Sequence, residues 1–156
     1  MSNHFPNLNM PSCQLSLRTE GSHTQVFDIA RRRHVALTPE EWVRQHVVHA
    51  LHHHLGYPLE TMLVEGCINL NGLSRRCDIV IYNTQLQPLM IVECKQPSVA
   101  LTQKVIDQIC RYNQALHVPY LYLTNGLQHI VCKADFDQQT LLPLQAIPTW
   151  EEINNY

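Results

Sequence analysis

Fourteen residues separate Asp78 from the tripeptide Glu93-Cys94-Lys95, and the apolar run Leu89-Met90-Ile91-Val92 leads straight into that tripeptide. Two residues apart on a strand, Glu93 and Lys95 point to the same face of a sheet. A carboxylate and an ammonium at the end of an apolar element are costly to desolvate unless each has a partner. A bound divalent cation is one such partner. Two acids beside a lysine then suit chemistry at a phosphoryl group: the acids hold a hard ion, and the lysine stabilises an attacking hydroxide and the charge that develops. A structural salt bridge between Lys95 and Glu93 is the alternative.

These side chains depend on the elements that carry them. Thr38-Pro39-Glu40-Glu41 marks a helix start, with a capping hydroxyl, proline at the first helical position and acids in the first turn. Val43, Val47, Leu51 and Leu55 then recur at i+4, and Gly56 ends the helix. Met62, Val64, Gly66, Ile68 and Leu70 are all non-polar, a period of two that predicts a strand with one buried face. Asn71-Gly72 predicts a two-residue hairpin turn, followed by a strand over about 75–82, a looser connection over 83–88 and a third strand over 89–95. A helix over 101–116, a strand over 120–124, a second turn at Asn125-Gly126 and a strand through Cys132 complete the pattern, with a short helix near Trp150. Residues 1–24, polar and rich in Asn, Ser and Pro, read as a loose arm with room for one short strand, and 25–156 as a single domain. The order predicts an α/β fold: a mixed central sheet, built on a three-strand antiparallel meander plus further strands, flanked by helices.

The hairpin register decides which acids meet. With Asn71 and Gly72 alone in the turn, Leu70 faces Leu73, and counting back along both strands sets Glu65 opposite Asp78. With Tyr82 opposite Leu89 in the next hairpin, Asp78 comes opposite Glu93. Glu65, Asp78 and Glu93 then form a row across three strands, with Lys95 two residues beyond. Like charges facing each other destabilise a sheet, so the row is either exposed to solvent or neutralised by a divalent cation.

Composition narrows the classes. A chain of 156 residues with 45% hydrophobic content is long enough to bury one core. Its six cysteines form no CxxC pair and read as reduced thiols of a cytoplasmic protein, and no segment reads as a leader or a membrane span. The net charge of −2 provides no global field for a polyanion, so nucleic acid would need a local patch, either Arg31-Arg32-Arg33 or Arg75-Arg76. His49, His52, His53 and His54 read as a solvated helix end, since neither HExxH nor a cysteine at ligand spacing accompanies them.

Taken together, Asp78 and Glu93-Cys94-Lys95 resemble the D…ExK signature of the PD-(D/E)xK nuclease superfamily, and Gln108 and Tyr112 match the QxxxY of its RecB-like branch. The chain is most similar in pattern to the N-terminal nuclease domain of type I restriction enzyme R subunits, through Thr38-Pro39-Glu40-Glu41-Trp42-Val43-Arg44-Gln45, Gly56-Tyr57-Pro58, Glu65, Arg76-Cys77-Asp78-Ile79-Val80, Val92-Glu93-Cys94-Lys95 and Thr124-Asn125-Gly126, spread over about 38–133. The resemblance implies a restriction-endonuclease-like core and magnesium-dependent cleavage of DNA, with manganese able to substitute. By position, Asp78, Glu93 and the Cys94 carbonyl would bind the metal, with Glu65 as an accessory acid or further ligand, and Lys95 would assist the water. Gln108, Tyr112 and Arg44 would support the site, and Arg75 and Arg76 would meet the nucleic acid. Implied partners are DNA and either a second copy or a helicase-type protein, since no GxxxxGK[ST] phosphate loop occurs here. Cys77 stands where the superfamily often has proline. The rival reading is an inactive nuclease fold that serves as a DNA-binding or protein-interaction module.

Overall fold

The computed structural model describes residues 5–70 and 72–155. β1 (Leu17–Glu20), β2 (His23–Asp28) and β3 (Arg33–Ala36) form a three-stranded antiparallel sheet. Residues 17–24, expected within a loose arm, are therefore largely strand. Their polar side chains hid the element, because three of the four β1 residues are polar and all four are exposed.

α1 (Pro39–His49) starts as its residues dictate. Thr38 is extended, and its hydroxyl accepts the Glu41 N–H at 3.0 Å. The helix runs on through a π-helical turn over Ala50–His54, where the Leu55 N–H reaches back to the Ala50 carbonyl, and Gly56 at φ +79° ends it. Val43, Val47 and Leu51 are fully buried, so the i+4 stripe is the face that meets the sheet.

A six-stranded sheet follows in chain order: β4 (Met62–Leu70), β5 (Leu73–Tyr82), β6 (Pro88–Cys94), β7 (Tyr120–Thr124), β8 (His129–Asp135) and β9 (Thr140–Leu144). Between β6 and β7 the chain crosses over through α2 (Gln103–Leu116), which makes that pair parallel; the other pairs are antiparallel. α3 (Trp150–Ile153) closes the described chain. The fold is thus α/β with a mixed sheet, as expected. Among the described residues no helix is long and apolar enough to cross a membrane.

Two cores lie on opposite sides of the sheet. One packs Val43, Val47 and Leu51 against Ile79, Ile81, Met90 and Val92. The other packs Ile109 and Leu116 of α2 against Val80, Ile91, Leu121 and Leu123. Neighbouring residues of β6 alternate between them, Met90 and Val92 on the α1 side and Ile91 on the α2 side.

Asn71 lies outside the described residues, but Gly72 has φ +76° and Leu70 pairs with Leu73, so the strand partners follow the expected count. That count holds on both sides of one gap. Val64 pairs with Ile79 and Gly66 with Cys77, while Glu65, at φ +53°, makes no ladder pair with Asp78. The faces change over at this point. Met62 and Val64 pack on the α1 side and Ile68 on the α2 side; across the hairpin, Ile79 packs on the α1 side and Cys77 on the α2 side. A left-handed backbone at Glu65 interrupts the alternation that even spacing alone would continue.

In the next hairpin Ile79 pairs with Val92 and Ile81 with Met90, as expected, but Tyr82 pairs with Pro88 rather than Leu89. The loop causes this slip of one residue. The Asn83 side-chain oxygen accepts the N–H groups of Gln85 and Gln87, and Leu86 adopts φ +61°. Asn125-Gly126 is also not a two-residue turn. Thr124 pairs with His129 across a loop of residues 125–128, whose Leu127 and Gln128 N–H groups are bound by the Asn125 side chain.

Candidate metal centre

Asp78 sits at the strand position where the sheet changes face, and so meets groups from both sides. Its Oδ2 accepts the Cys94 N–H at 2.7 Å, which ties it to the end of β6. Its Oδ1 accepts from Arg44 Nη2 of α1 at 3.0 Å. Glu93, 7% exposed, lies on the next strand close enough to hydrogen-bond with Asp78. Burial pushes its carboxyl up to about 8; Arg75 draws it down and Asp78 raises it further. The intervening Cys94 thiol is buried and pushed well above its usual range, chiefly by burial, which makes it a poor nucleophile.

Lys95 is the first residue beyond β6, and its N–H donates to the Thr124 carbonyl at 2.8 Å, which fixes its backbone on β7. The segment after it is tied down by Asn125, whose side-chain amide donates to the Val99 carbonyl at 2.8 Å. The Lys95 charge acts on both Glu40 and Glu93. Asp78 and Glu93 therefore lie on adjacent strands, and Lys95, expected at the end of the third strand, falls one residue past it.

Glu65 is turned toward arginines. Arg31 Nη1 lies 3.1 Å from it, Arg44 Nη1 3.4 Å and Arg76 Nη2 3.4 Å. Its left-handed backbone takes it out of the expected three-acid row. Arg44 itself is held by Glu40 at 2.9 Å, by Glu41 and by Asp78. Burial alone would weaken its charge, but Glu41 and Asp78 hold the guanidinium protonated.

Several of these partners escape a reading of spacing alone. Arg31, a candidate for a solvent-facing basic patch, is instead internal: it pairs with Asp28 at 2.6 Å, Glu41 at 2.5 Å and Glu65 at 3.1 Å. Asp28 is fully buried and also accepts from Gln45 at 3.0 Å. Burial would raise its carboxyl, but the Arg31 N–H, its side chain and its charge together hold it below the usual carboxylate range. Nothing in the Arg31-Arg32-Arg33 run distinguishes the half-buried, ion-paired Arg31 from Arg32 and Arg33, which are exposed.

On the α2 side, Arg75 Nη2 lies 2.7 Å from Glu93 Oε1, and the Arg75 guanidinium stacks over the Tyr112 ring at 4.6 Å. Tyr112 thus reaches the site through Arg75. Gln108, one turn earlier on α2, is exposed and makes no side-chain hydrogen bond among the described residues. Arg76 is largely exposed and points its charge outward as well as toward Glu65.

Asp78, Glu93 and the Cys94 carbonyl are the groups that could hold a divalent cation. Burial and the neighbouring Asp78 raise the Glu93 carboxyl more than the Arg75 and Lys95 charges lower it, so further positive charge beside it would be favourable. Its Oε1 has no well-directed donor, although Arg75 Nη2 is within ion-pair distance. A hard cation that takes two carboxylates and fills its remaining positions with water fits this pair. Among the described residues no three Asp, Glu, His or Cys side chains already converge on one metal position. That includes the histidine run, where His52 is turned to the Tyr57 carbonyl and His49 packs beside His53.

Residues 39–148 match the family model described as Type I restriction enzyme R protein N terminus (HSDR_N). The chain belongs to this family. The matched span begins at α1 and ends beyond β9, so it contains Glu40, Arg44, Glu65, Asp78, Glu93, Lys95, Gln108 and Tyr112; Asp28 and Arg31 precede it. Among solved structures, the chain is similar to a fragment described as an HsdR subunit of a type I restriction enzyme from Vibrio vulnificus YJ016. The TM-score is 0.52 and the identity 21%, over 76% of this chain and 25% of that chain. That likeness concerns the fold, and the chain spans a quarter of the other's length. No match was found among curated proteins.

Proposed function

We propose that this chain is a magnesium-dependent endonuclease domain that hydrolyses phosphodiester bonds in DNA. The observation that carries the reading is the buried Glu93 carboxyl beside Asp78, with Lys95 just past the strand end. Asp78, Glu93 and the Cys94 carbonyl would hold the ion, and manganese would serve in its place. Bound there, the metal would supply Lewis-acid activation of water and of the phosphoryl oxygens. Lys95 would stabilise negative charge on the attacking and phosphoryl oxygens. Arg44 holds Asp78 in place from α1, and the Cys94 N–H fixes its other oxygen. Glu65 acts as an accessory acid by setting Arg44 and Arg76. Arg75 and Arg76 would contact the DNA backbone, Tyr112 would act through Arg75, and Gln108 would face the nucleic acid from α2. A helicase-type protein, or a second copy of the chain, would be the partner that delivers DNA.

A different observation favours a second reading. Arginines already stand on both acids, Arg44 on Asp78 and Arg75 on Glu93, which is how a domain that binds DNA without cutting it would neutralise them. Plasmid cleavage with magnesium or manganese separates the two. Cleavage by the wild-type chain, lost in both Asp78→Ala and Lys95→Ala, is the expected result. Salt-sensitive DNA binding with no cleavage under either metal would establish the binding module instead.

A further inference from the structure

We propose that Arg75 is an exchangeable counter-ion: it leaves Glu93 when a divalent cation binds and its guanidinium then takes a phosphate oxygen of the nucleic acid. This rests on the reading of Asp78 and Glu93 as the metal pair.

Two features of Arg75, the number of its carboxylate partners and the direction of its one ion pair, set it apart from Arg44, and both arginines carry a buried nitrogen without a partner. Arg44 is bound by Glu40, Glu41, Glu65 and Asp78, so losing one partner leaves three. Among the described residues, Glu93 is the one carboxylate within ion-pair distance of Arg75. The contact is also poorly directed, since Glu93 Oε1 lacks a well-aligned donor with Arg75 Nη2 2.7 Å away. Arg75 Nη1 is buried and has no hydrogen-bond partner. An unmet donor on this half-buried guanidinium costs free energy, and the planar fork that carries it pairs well with the oxygens of a phosphate.

Tyr112 provides the perch. Its ring lies under the guanidinium at 4.6 Å, so the cation keeps one favourable contact while its carboxylate partner changes. The neighbouring Arg76 is mostly exposed, so this end of β5 opens outward, where a DNA strand could approach.

A divalent cation and a guanidinium cannot share Glu93 Oε1 without strong repulsion. In the absence of DNA the metal must therefore displace Arg75. With DNA present a phosphate receives it, so metal and nucleic acid raise each other's affinity, reciprocally.

Manganese titration of the full chain by calorimetry, with and without a short phosphorothioate duplex that resists cleavage, tests this. In the wild-type protein manganese binds weakly alone and more tightly with the duplex. Arg75→Gln binds manganese alone about tenfold more tightly, a size within the usual range of site-to-site coupling, and binds the duplex more weakly, with the coupling gone. Tyr112→Leu keeps the Arg75 charge beside Glu93 and lowers duplex affinity to a smaller extent. Equal manganese affinity in wild type and Arg75→Gln, abolished in both by Asp78→Ala, would overturn the exchange and leave the metal pair standing. No manganese binding in either protein, with or without duplex, would overturn the metal pair and the exchange with it.

Discussion

Arg44 Nη2 on α1 lies 3.0 Å from Asp78 Oδ1 on β5, so the first helix of the domain holds in place the acid at which the sheet changes face. The two lie 34 positions apart in the chain. The same guanidinium also binds Glu40, Glu41 and Glu65, which joins helix and hairpin through one buried charge.

Removing that charge leaves buried carboxylates without compensation. Arg44→Ala is expected to destabilise the domain by about 3–5 kcal/mol, the usual consequence of deleting one partner of a buried ion pair. Urea unfolding measures it. A loss under about 1 kcal/mol would place the four contacts among weak, solvent-screened pairs.

Glu93 makes stability depend on pH in a defined direction. Its folded-state value of about 8 lies above that of an unfolded carboxyl, so the folded protein holds this proton more tightly. The contribution is fully present below the ordinary carboxylate range and is lost as pH rises through about 8. Glu93→Gln keeps the shape without the charge. Between about pH 6 and pH 9 the unfolding midpoint of metal-free wild type should fall further than that of the variant; parallel curves would mean that Glu93 ionises freely.

Arg31 joins the small sheet to the large one through Asp28 on β2, Glu41 on α1 and Glu65 on β4. Arg31→Ala should loosen β1–β3 before the rest of the domain. Amide exchange in β2 and β3 would speed up, while β6 and β7 stayed protected. Uniform protection throughout would show that the small sheet docks by other contacts.

Asn125 sets the geometry behind Lys95. Its side chain donates to the Val99 carbonyl and accepts the N–H groups of Leu127 and Gln128. Asn125→Ala deletes three hydrogen bonds at a buried position and is expected to cost about 1–3 kcal/mol. If Lys95 acts in cleavage, the variant should cut DNA more slowly while binding it as well as wild type, which parallel cleavage and anisotropy assays would show.

Much of this architecture could be read from residue patterns. Thr38, Pro39 and Gly56 bound the first helix, because caps and breakers act within a turn or two of the chain. Gly72 and the pairing of Leu70 with Leu73 carried the register down β4 and β5, since a short turn leaves one way to pair. β1, β2, β3 and β9 were not legible as separate strands; their short, mixed runs of side chains lack the alternation of a half-buried strand. The kink at Glu65 was hidden for another reason. Left-handed backbone is expected at Gly, Asn or Asp, and a glutamate within an otherwise regular strand carries no such signal.

By itself, the sequence determined that Asp78 and Glu93 would lie on paired neighbouring strands with Lys95 following the second, because strand period and hairpin length are local rules that operate over a few residues. Only the tertiary structure decided which cation each acid would face. Arg44 came to Asp78, Arg75 to Glu93 and Arg31 to Asp28, while Glu65 was turned away to share the arginines. Charges of one sign are interchangeable in a sequence. What singles out one arginine is the burial and approach imposed by packing two sheets and a helix, and that packing depends on contacts between residues far apart in the chain.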